Sequence, residues 1–539
     1  MAREWCQWIY NNSWTTMAKI LFINPVVREE DVPRHIPYGI ALLAAIARDE
    51  GHHVQVYDAN AWRKGFDVVK QVLEADDWDV VAIGGLTTTY NFIKETCRLV
   101  GEHAKDSLLI AGGGFLTSMP REIMAWIPQI DLGVIGEAFV TFPEVLNKID
   151  QGDLDWNETL GVVHRDAKGE IIVNKERPNI SDLDVIPWPA WEYFPLEEVY
   201  FKNSSSLFSE EAYYAKRRID INGSYGCNLI CRYCWHLGTT GDMVVREDPE
   251  GNNDVAFTYG RNIRYHSPDY IVSMVKHLKS KYNVDHVNFL DENLMTMDVY
   301  SKRTWLKELC EKWIEAGLQP DCRRLGVPFS EVENKGVFWS GTSHASLHTP
   351  EILKLMYDAG CTHLVYGLES FDKYILKKLG KGSTPERNES SVSICMQSGI
   401  KPIPNIIIGF PEESFDSVRA TIQSLLKLGI HAKPHFATAY PGSEWYYRYK
   451  DSIAAQYEGD LEKYVMDLGD ATKITATISH KFSCMDLLGL QEIVAQRDLR
   501  LLDMAEKHWA ESDDAIVPTV KPQLTHQIIE NKTKTPMMG

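Results

Sequence analysis

The stretch that most constrains this chain is Ser224-Tyr225-Gly226-Cys227-Asn228-Leu229-Ile230-Cys231-Arg232-Tyr233-Cys234-Trp235-His236. Cys227, Cys231 and Cys234 fall within eight residues at C-x3-C-x2-C spacing. Thiolates this close repel one another, so the arrangement calls for a cation. Three ligands so spaced favour a [4Fe–4S] cluster with one iron left open. The alternatives are a structural zinc site completed by His236 and a chance grouping of core cysteines. Structural zinc sites usually place their ligands as two separated pairs, and no second C-x2-C occurs here. The apolar alternation Ile219-Asp220-Ile221 just before predicts a strand running into the cysteine loop.

At 539 residues the chain has room for two or three domains, each with its own core. Its 44% apolar and 24% charged residues are those of a soluble globular protein. No stretch reaches the ~18 uninterrupted apolar residues of a membrane span, and residues 1–17 lack the pattern of a secretory signal. The net charge of −19 argues against nucleic acid as a partner, since phosphate binding needs a basic face. The ten cysteines do not read as a disulfide framework, and an exposed cluster needs a reducing compartment. The expected location is the cytoplasm.

From Lys19 onward short apolar runs alternate with helical patterns. Strands are expected at 20–23, 54–57, 80–83, 108–110 and within 130–135, with helices at 38–50, 67–75 and 91–104. That order predicts a parallel, doubly wound, Rossmann-like sheet whose ligand lies at the carboxyl ends of the strands. The loops there carry Thr87, Thr88 and Thr89, then Gly112, Gly113 and Gly114, then Gly136 and Glu137. After a proline-stiffened connection, Asp182 to Trp191, about six further βα units run from Arg217 to Tyr447. They predict a partial (β/α)6 barrel with its chemistry at the strand C-termini. The segment 201–215 reads as a mobile polar loop, and 487–505 as one amphipathic helix. The expected divisions are an extension (1–17), a first domain (18–152), a linker (153–214), a barrel (215–447), a helical region (448–517) and a polar tail (518–539).

Pro37-Tyr38-Gly39, Gly51-His52-His53-Val54, Gly112-Gly113-Gly114 and Val134-Ile135-Gly136-Glu137-Ala138 resemble the cobalamin-binding domain of B12-dependent radical enzymes. The cysteine loop after the first barrel strand is similar to the signature of radical S-adenosylmethionine (SAM) enzymes. The resemblance spans roughly residues 19–445 and implies a [4Fe–4S] cluster on Cys227, Cys231 and Cys234, SAM, and cobalamin. It implies SAM contacts from Tyr233 near adenine, from Asp291 first and Glu292 second at the amino group, from Glu369 and Ser370 at the ribose, and from the Gly409 loop. It implies cobalamin contacts from Thr87–Thr89, Gly112–Gly114, Gly136 and Glu137. One departure is the absence of D-x-H-x-x-G after the first strand. His35 and His52 are therefore expected to be surface or structural residues, with cobalt's lower face not held by histidine.

The activity implied is transfer of a methyl group from SAM through methylcobalamin to an unactivated carbon or phosphorus. It resembles the C- and P-methylases of natural-product pathways, including phosphinate P-methylation. A ring-forming enzyme similar to the anaerobic magnesium-porphyrin ester cyclase is the alternative. An external reductant such as flavodoxin or ferredoxin is the implied partner. The insertions 237–262 and 320–335 bring Arg246, Arg261, Arg323 and Arg324, which with Arg264 are the cations expected to meet an anionic substrate.

Overall fold

The computed structural model describes residues 17–229, 231–234, 241–247, 253–261, 263–345 and 348–511. His236, the extension and the tail beyond 511 lie outside them. In the first domain, β1 (Lys19–Asn24), β2 (His53–Asp58), β3 (Val80–Gly84), β4 (Leu108–Gly112) and β5 (Leu132–Val134) form a parallel sheet in the order β2-β1-β3-β4-β5. β6 (Val162–Arg165) and β7 (Ile171–Val173) extend it antiparallel. These two strands come from the stretch expected to be a linker, so the first sheet reaches past residue 152. Ile20, Leu21, Phe22 and Ile23 are buried on both faces, as a helix-covered parallel sheet requires.

The second sheet is a parallel half-barrel. Its strands are β8 (Arg218–Ile221), β9 (His286–Phe289), β10 (Phe338–Ser343), β11 (Cys361–Glu369), β12 (Lys401–Ile408) and β13 (His435–Phe436), in spatial order β13-β12-β11-β10-β9-β8. Alternate residues explain why the strands close around a polar interior. Ile219, Val287, Trp339, Leu364 and Ile406 turn outward into the main hydrophobic core. On the other face Asn288 donates to Asp220 (3.0 Å) and accepts from the Ser340 hydroxyl (3.0 Å). Asp220 also meets His35 Nδ1 (2.8 Å), so the loop after β1 is tied into the barrel. His52, the other histidine set apart from cobalt, is buried near Asp150 (3.9 Å).

Three expectations change. The segment 201–215 carries a 3-10 turn (Phe201–Asn203) and a helix (Glu210–Tyr214) capped by Ser209. The insertion after the cysteines contains an antiparallel pair, Gly241–Glu247 with Asn253–Arg261. The single helix expected near the C-terminus is two, Cys484–Gln496 and Leu499–Glu511, separated where Arg497 takes φ +56°.

Candidate functional site

The cysteine loop leaves β8 through Gly223 and Ser224. Asp291 after β9 accepts from the Gly223 N–H (3.0 Å) and from the Ser224 hydroxyl. Asp291 is almost fully buried, and burial pushes its carboxyl up to about 6 against those hydrogen bonds. Both of its oxygens therefore hold the cluster loop, and the neighbouring Glu292 lies near enough to Cys227 for its charge to act on that thiol. Asn293 ties the two strand ends together: its amide nitrogen donates to Asn228 (2.9 Å) and its oxygen accepts from the His344 N–H (3.1 Å).

Cys227 and Cys231 are buried and Cys234 half-buried, and none forms a disulfide. Burial, then the neighbouring thiols, push Cys227 up to about 12; burial pushes Cys231 up to about 11. Thiols near enough for their charges to act on one another, two of them buried, are the donor type an iron–sulfur cluster takes, and its binding releases their protons.

Glu369 ends β11 where a bulge interrupts its pairing with β12. It holds φ +59°, a strained conformation for a side chain this size, and is 4% exposed. Its Oε1 accepts from the Tyr233 hydroxyl (2.7 Å) and from Lys381 Nζ (2.8 Å), while Oε2 is buried without a partner. An orphaned carboxylate oxygen costs desolvation unless a donor arrives, and a ribose hydroxyl of SAM is such a donor. Asn388 fixes this corner by donating to the carbonyls of Leu368 (3.1 Å) and Ser370 (3.2 Å). The Ser370 hydroxyl accepts from the Asp372 N–H (3.1 Å) and thus serves the turn.

Lys381 was not anticipated from the sequence. Burial alone would lower its affinity for a proton; Glu369 and the Cys231 thiol more than offset this and push it up. It is a buried cation near enough to the cysteine loop for the charges of Cys231 and Cys234 to act on it. Its only signal is the Gly380-Lys381-Gly382 turn twelve residues beyond Glu369. The Tyr233 ring packs on Trp445 (centroids 5.6 Å apart). Gly409 takes φ +89°, donates its N–H to Glu413 (3.1 Å), and has no space for a Cβ against Leu487 (2.9 Å).

At the carboxyl ends of β1, β3 and β4 lies a cavity of about 850 Å³, lined by Val26–Asp31, Leu86–Thr89, Gly114, Tyr440 and Met466–Lys473 among others. Such a volume is at the upper end for small-molecule sites. Converging loops with three threonines fit a large cofactor with polar edges. Thr87, Thr88, Thr89 and Gly114 line the cavity. Gly113 instead lets the β3 and β4 loops meet: at φ +93°, a Cβ there would sit 2.8 Å from the Gly85 carbonyl. Gly112 accepts the Gly85 N–H (3.3 Å), and the Gly136 N–H is held by Thr117 (3.1 Å). Glu137 is taken up by Arg264, whose Nη1 lies 2.8 Å away, in a buried ion pair between the two domains. The wall formed by Met466–Lys473 was not legible in the sequence as cofactor machinery.

The arginines expected to meet an anion are mostly engaged. Arg264 holds Glu137, Arg323 lies between Glu211 (2.5 Å) and the Tyr357 hydroxyl (2.6 Å), and Arg324 pairs with Asp321. The side chains of Arg246 and Arg261 lie outside the described residues.

Comparison with known proteins agrees with this layout. Residues 221–425 match the radical SAM superfamily and residues 25–146 the B12 binding domain. An uncharacterized methyltransferase of Pyrococcus horikoshii is 25% identical over 81% of this chain and 84% of its own. The bacteriochlorophyllide d C-8(2)-methyltransferase of Chlorobaculum tepidum is 30% identical over 77% of this chain and 76% of its own. The anaerobic magnesium-protoporphyrin IX monomethyl ester cyclase of Rubrivivax gelatinosus is 21% identical, covering 83% and 72%. Among solved structures, the methyltransferase TsrM of Kitasatospora setae with cobalamin and a [4Fe–4S] cluster superposes with TM-score 0.58 at 17% identity, over 81% of this chain and 79% of that one. OxsB with aqua-cobalamin gives 0.59 at 16% identity; the match covers 78% of this chain and about half, 53%, of the OxsB chain. With the cysteine loop, the half-barrel and the strand-end cavity in place, the chain belongs to the cobalamin-dependent radical SAM methyltransferases, enzymes that use a [4Fe–4S] cluster, SAM and cobalamin.

Proposed function

We propose that the protein methylates an unactivated carbon or a phosphorus centre of a small molecule in a reducing, cytoplasmic setting, with electrons from a flavodoxin or ferredoxin. The observation that carries this reading is Glu369, whose strained backbone and unmatched buried oxygen sit between the cysteine loop and Lys381. When bound, the cluster and SAM supply a 5′-deoxyadenosyl radical and cobalamin supplies the methyl group. The chain's own residues do the positioning. In this reading Glu369 grips the ribose, Lys381 the carboxylate and Glu292 the amino group, while Asp291 anchors the cysteine loop. Cys227, Cys231 and Cys234 hold the cluster, and Thr87–Thr89 with Gly114 border the corrin.

The similarity to ester cyclases gives a second reading, ring formation without methyl transfer. Incubation of the reconstituted protein with methyl-deuterated SAM and a small-molecule cell extract separates them. A metabolite carrying a trideuteriomethyl group supports methylation. Deoxyadenosine release with an unlabelled, dehydrogenated product would overturn it.

A further inference from the structure

A second cavity, of about 770 Å³, opens where β12 begins, at the opposite end of the half-barrel from the cofactors, and extends to His435 at the start of β13. Phe208, Lys401, Ile403, Asn405, Lys433 and His435 line it. Lys401, Ile403 and Asn405 share one face of β12, while Ile406 and Ile408 belong to the core on its outer face. The cavity runs along the free edge of β12 from the exposed Lys401 to His435, and Pro402 and Pro404 from the alternate positions of the strand line it too. His435, paired in register with Ile407, is close enough to the SAM end for the charge of Glu369 to act on it.

The chemistry of the walls is one-sided. Lys401 faces His363 across the β11–β12 register, and the Phe208 ring meets His363 edge-on (centroids 5.4 Å apart). Burial, then Arg218 and Lys401, push His363 down to about 3, so the histidine stays neutral among cations. The carboxylates whose charge reaches the lining are Glu369 and Asp470, both acting on His435, while Asp220 on β8 is matched by His35 and Asn288. Glu492, the partner of Lys433 at 3.7 Å, is on the exposed rim. Phe208, Ile403 and Ile430 supply apolar surface beside this excess of positive charge. A volume of this size with apolar walls and few polar groups is that of a small-ligand site.

We propose that this cavity seats the anionic, apolar-bodied end of the substrate, entering by the N-terminal rim of the strands with its reactive end toward Glu369. The inference rests on the function proposed above and adds the substrate class, an organic anion, and Lys401 as the residue that selects it. Lys401 and Lys433 are the lysines in the lining that would meet the charge.

The test is calorimetric titration of the cluster-reconstituted, cobalamin-loaded full chain with 8-anilinonaphthalene-1-sulfonate, an aromatic anion, and with the neutral N-phenyl-1-naphthylamine. Saturable binding of the sulfonate is expected, roughly tenfold tighter than of the amine, and weakened roughly tenfold by Lys401→Glu. Lys401 is exposed, so its replacement leaves the core intact. Ile403→Trp, which fills the cavity without touching charge, weakens both probes. Equal binding of the two probes, or a sulfonate affinity unchanged in Lys401→Glu, would overturn the proposal. Deoxyadenosine formation from SAM, measured on the same samples without substrate, reads the enzymatic assignment separately: its absence counts against that assignment and not against the anion site.

Discussion

Lys381 Nζ lies 2.8 Å from Glu369 Oε1, and both side chains are buried, at 6% and 5% exposure. A pair so desolvated holds because each charge answers the other, and the Tyr233 hydroxyl closes on the same oxygen at 2.7 Å. In the function proposed above the pair holds the ribose and the carboxylate of SAM. Removing the cation by Lys381→Met leaves an uncompensated carboxylate and should destabilise the fold by roughly 3 kcal/mol. It should also weaken SAM binding at least tenfold by equilibrium dialysis. The double variant Lys381→Met/Glu369→Leu should recover most of the stability but none of the SAM affinity. Recovery of both would reduce the pair to a packing element.

The Arg264–Glu137 pair joins the two domains with side chains 7% and 12% exposed. Arg264→Met should lower stability in urea by about 3 kcal/mol, and adding Glu137→Met should cost little more, because the pair acts as a unit. Simple additivity of the two losses would contradict a coupled buried pair.

Glu413 is the clearest pH-dependent element. Burial, against hydrogen bonds from Ser417 and Gly409, pushes its carboxyl up to about 7 from an ordinary 4.5. Between these values the folded protein keeps a proton that the unfolded chain has released. Stability therefore falls as pH rises from about 4.5 through about 7. Glu413→Gln removes this dependence, so its unfolding free energy in urea relative to the parent should climb between pH 5 and pH 8, by an amount on the order of 3 kcal/mol. A constant difference across that range would place the Glu413 pKa near the ordinary value.

Much of the site was legible because its pieces are local in sequence. Three cysteines in one loop announce a cluster wherever the chain goes, and Glu369 follows an apolar alternation that can only be a strand. What was hidden depends on folding. Asp291 reads as a free strand-end acid, but β9 and β8 are neighbours, which brings it onto Gly223 and Ser224. Lys381 reaches Glu369 only because the helix Lys373–Leu379 and a glycine turn double back. The C-terminal wall of the first cavity offers no motif at all; it arrives through contacts such as the Tyr90 hydroxyl on Glu462 (2.6 Å).

That wall carries its own prediction. Arg28 pairs with Asp470 (2.5 Å) and Glu30 with Lys473 (2.6 Å), all four lining the first cavity. Pairs this exposed are weak and are screened by salt. Asp470→Asn with Lys473→Gln should speed release of bound cobalamin about fivefold at low ionic strength, with the difference shrinking in high salt. Equal release rates would show that these pairs do not close the cavity.

The most direct test of the account is to quantify both SAM-derived products from the protein carrying a full complement of cluster and cobalamin under a strong reductant. The account predicts 5′-deoxyadenosine together with S-adenosylhomocysteine, and loss of the deoxyadenosine when Cys227, Cys231 and Cys234 are replaced by Ala. Deoxyadenosine that persists without the three cysteines, or fully loaded protein that yields no S-adenosylhomocysteine, would contradict it.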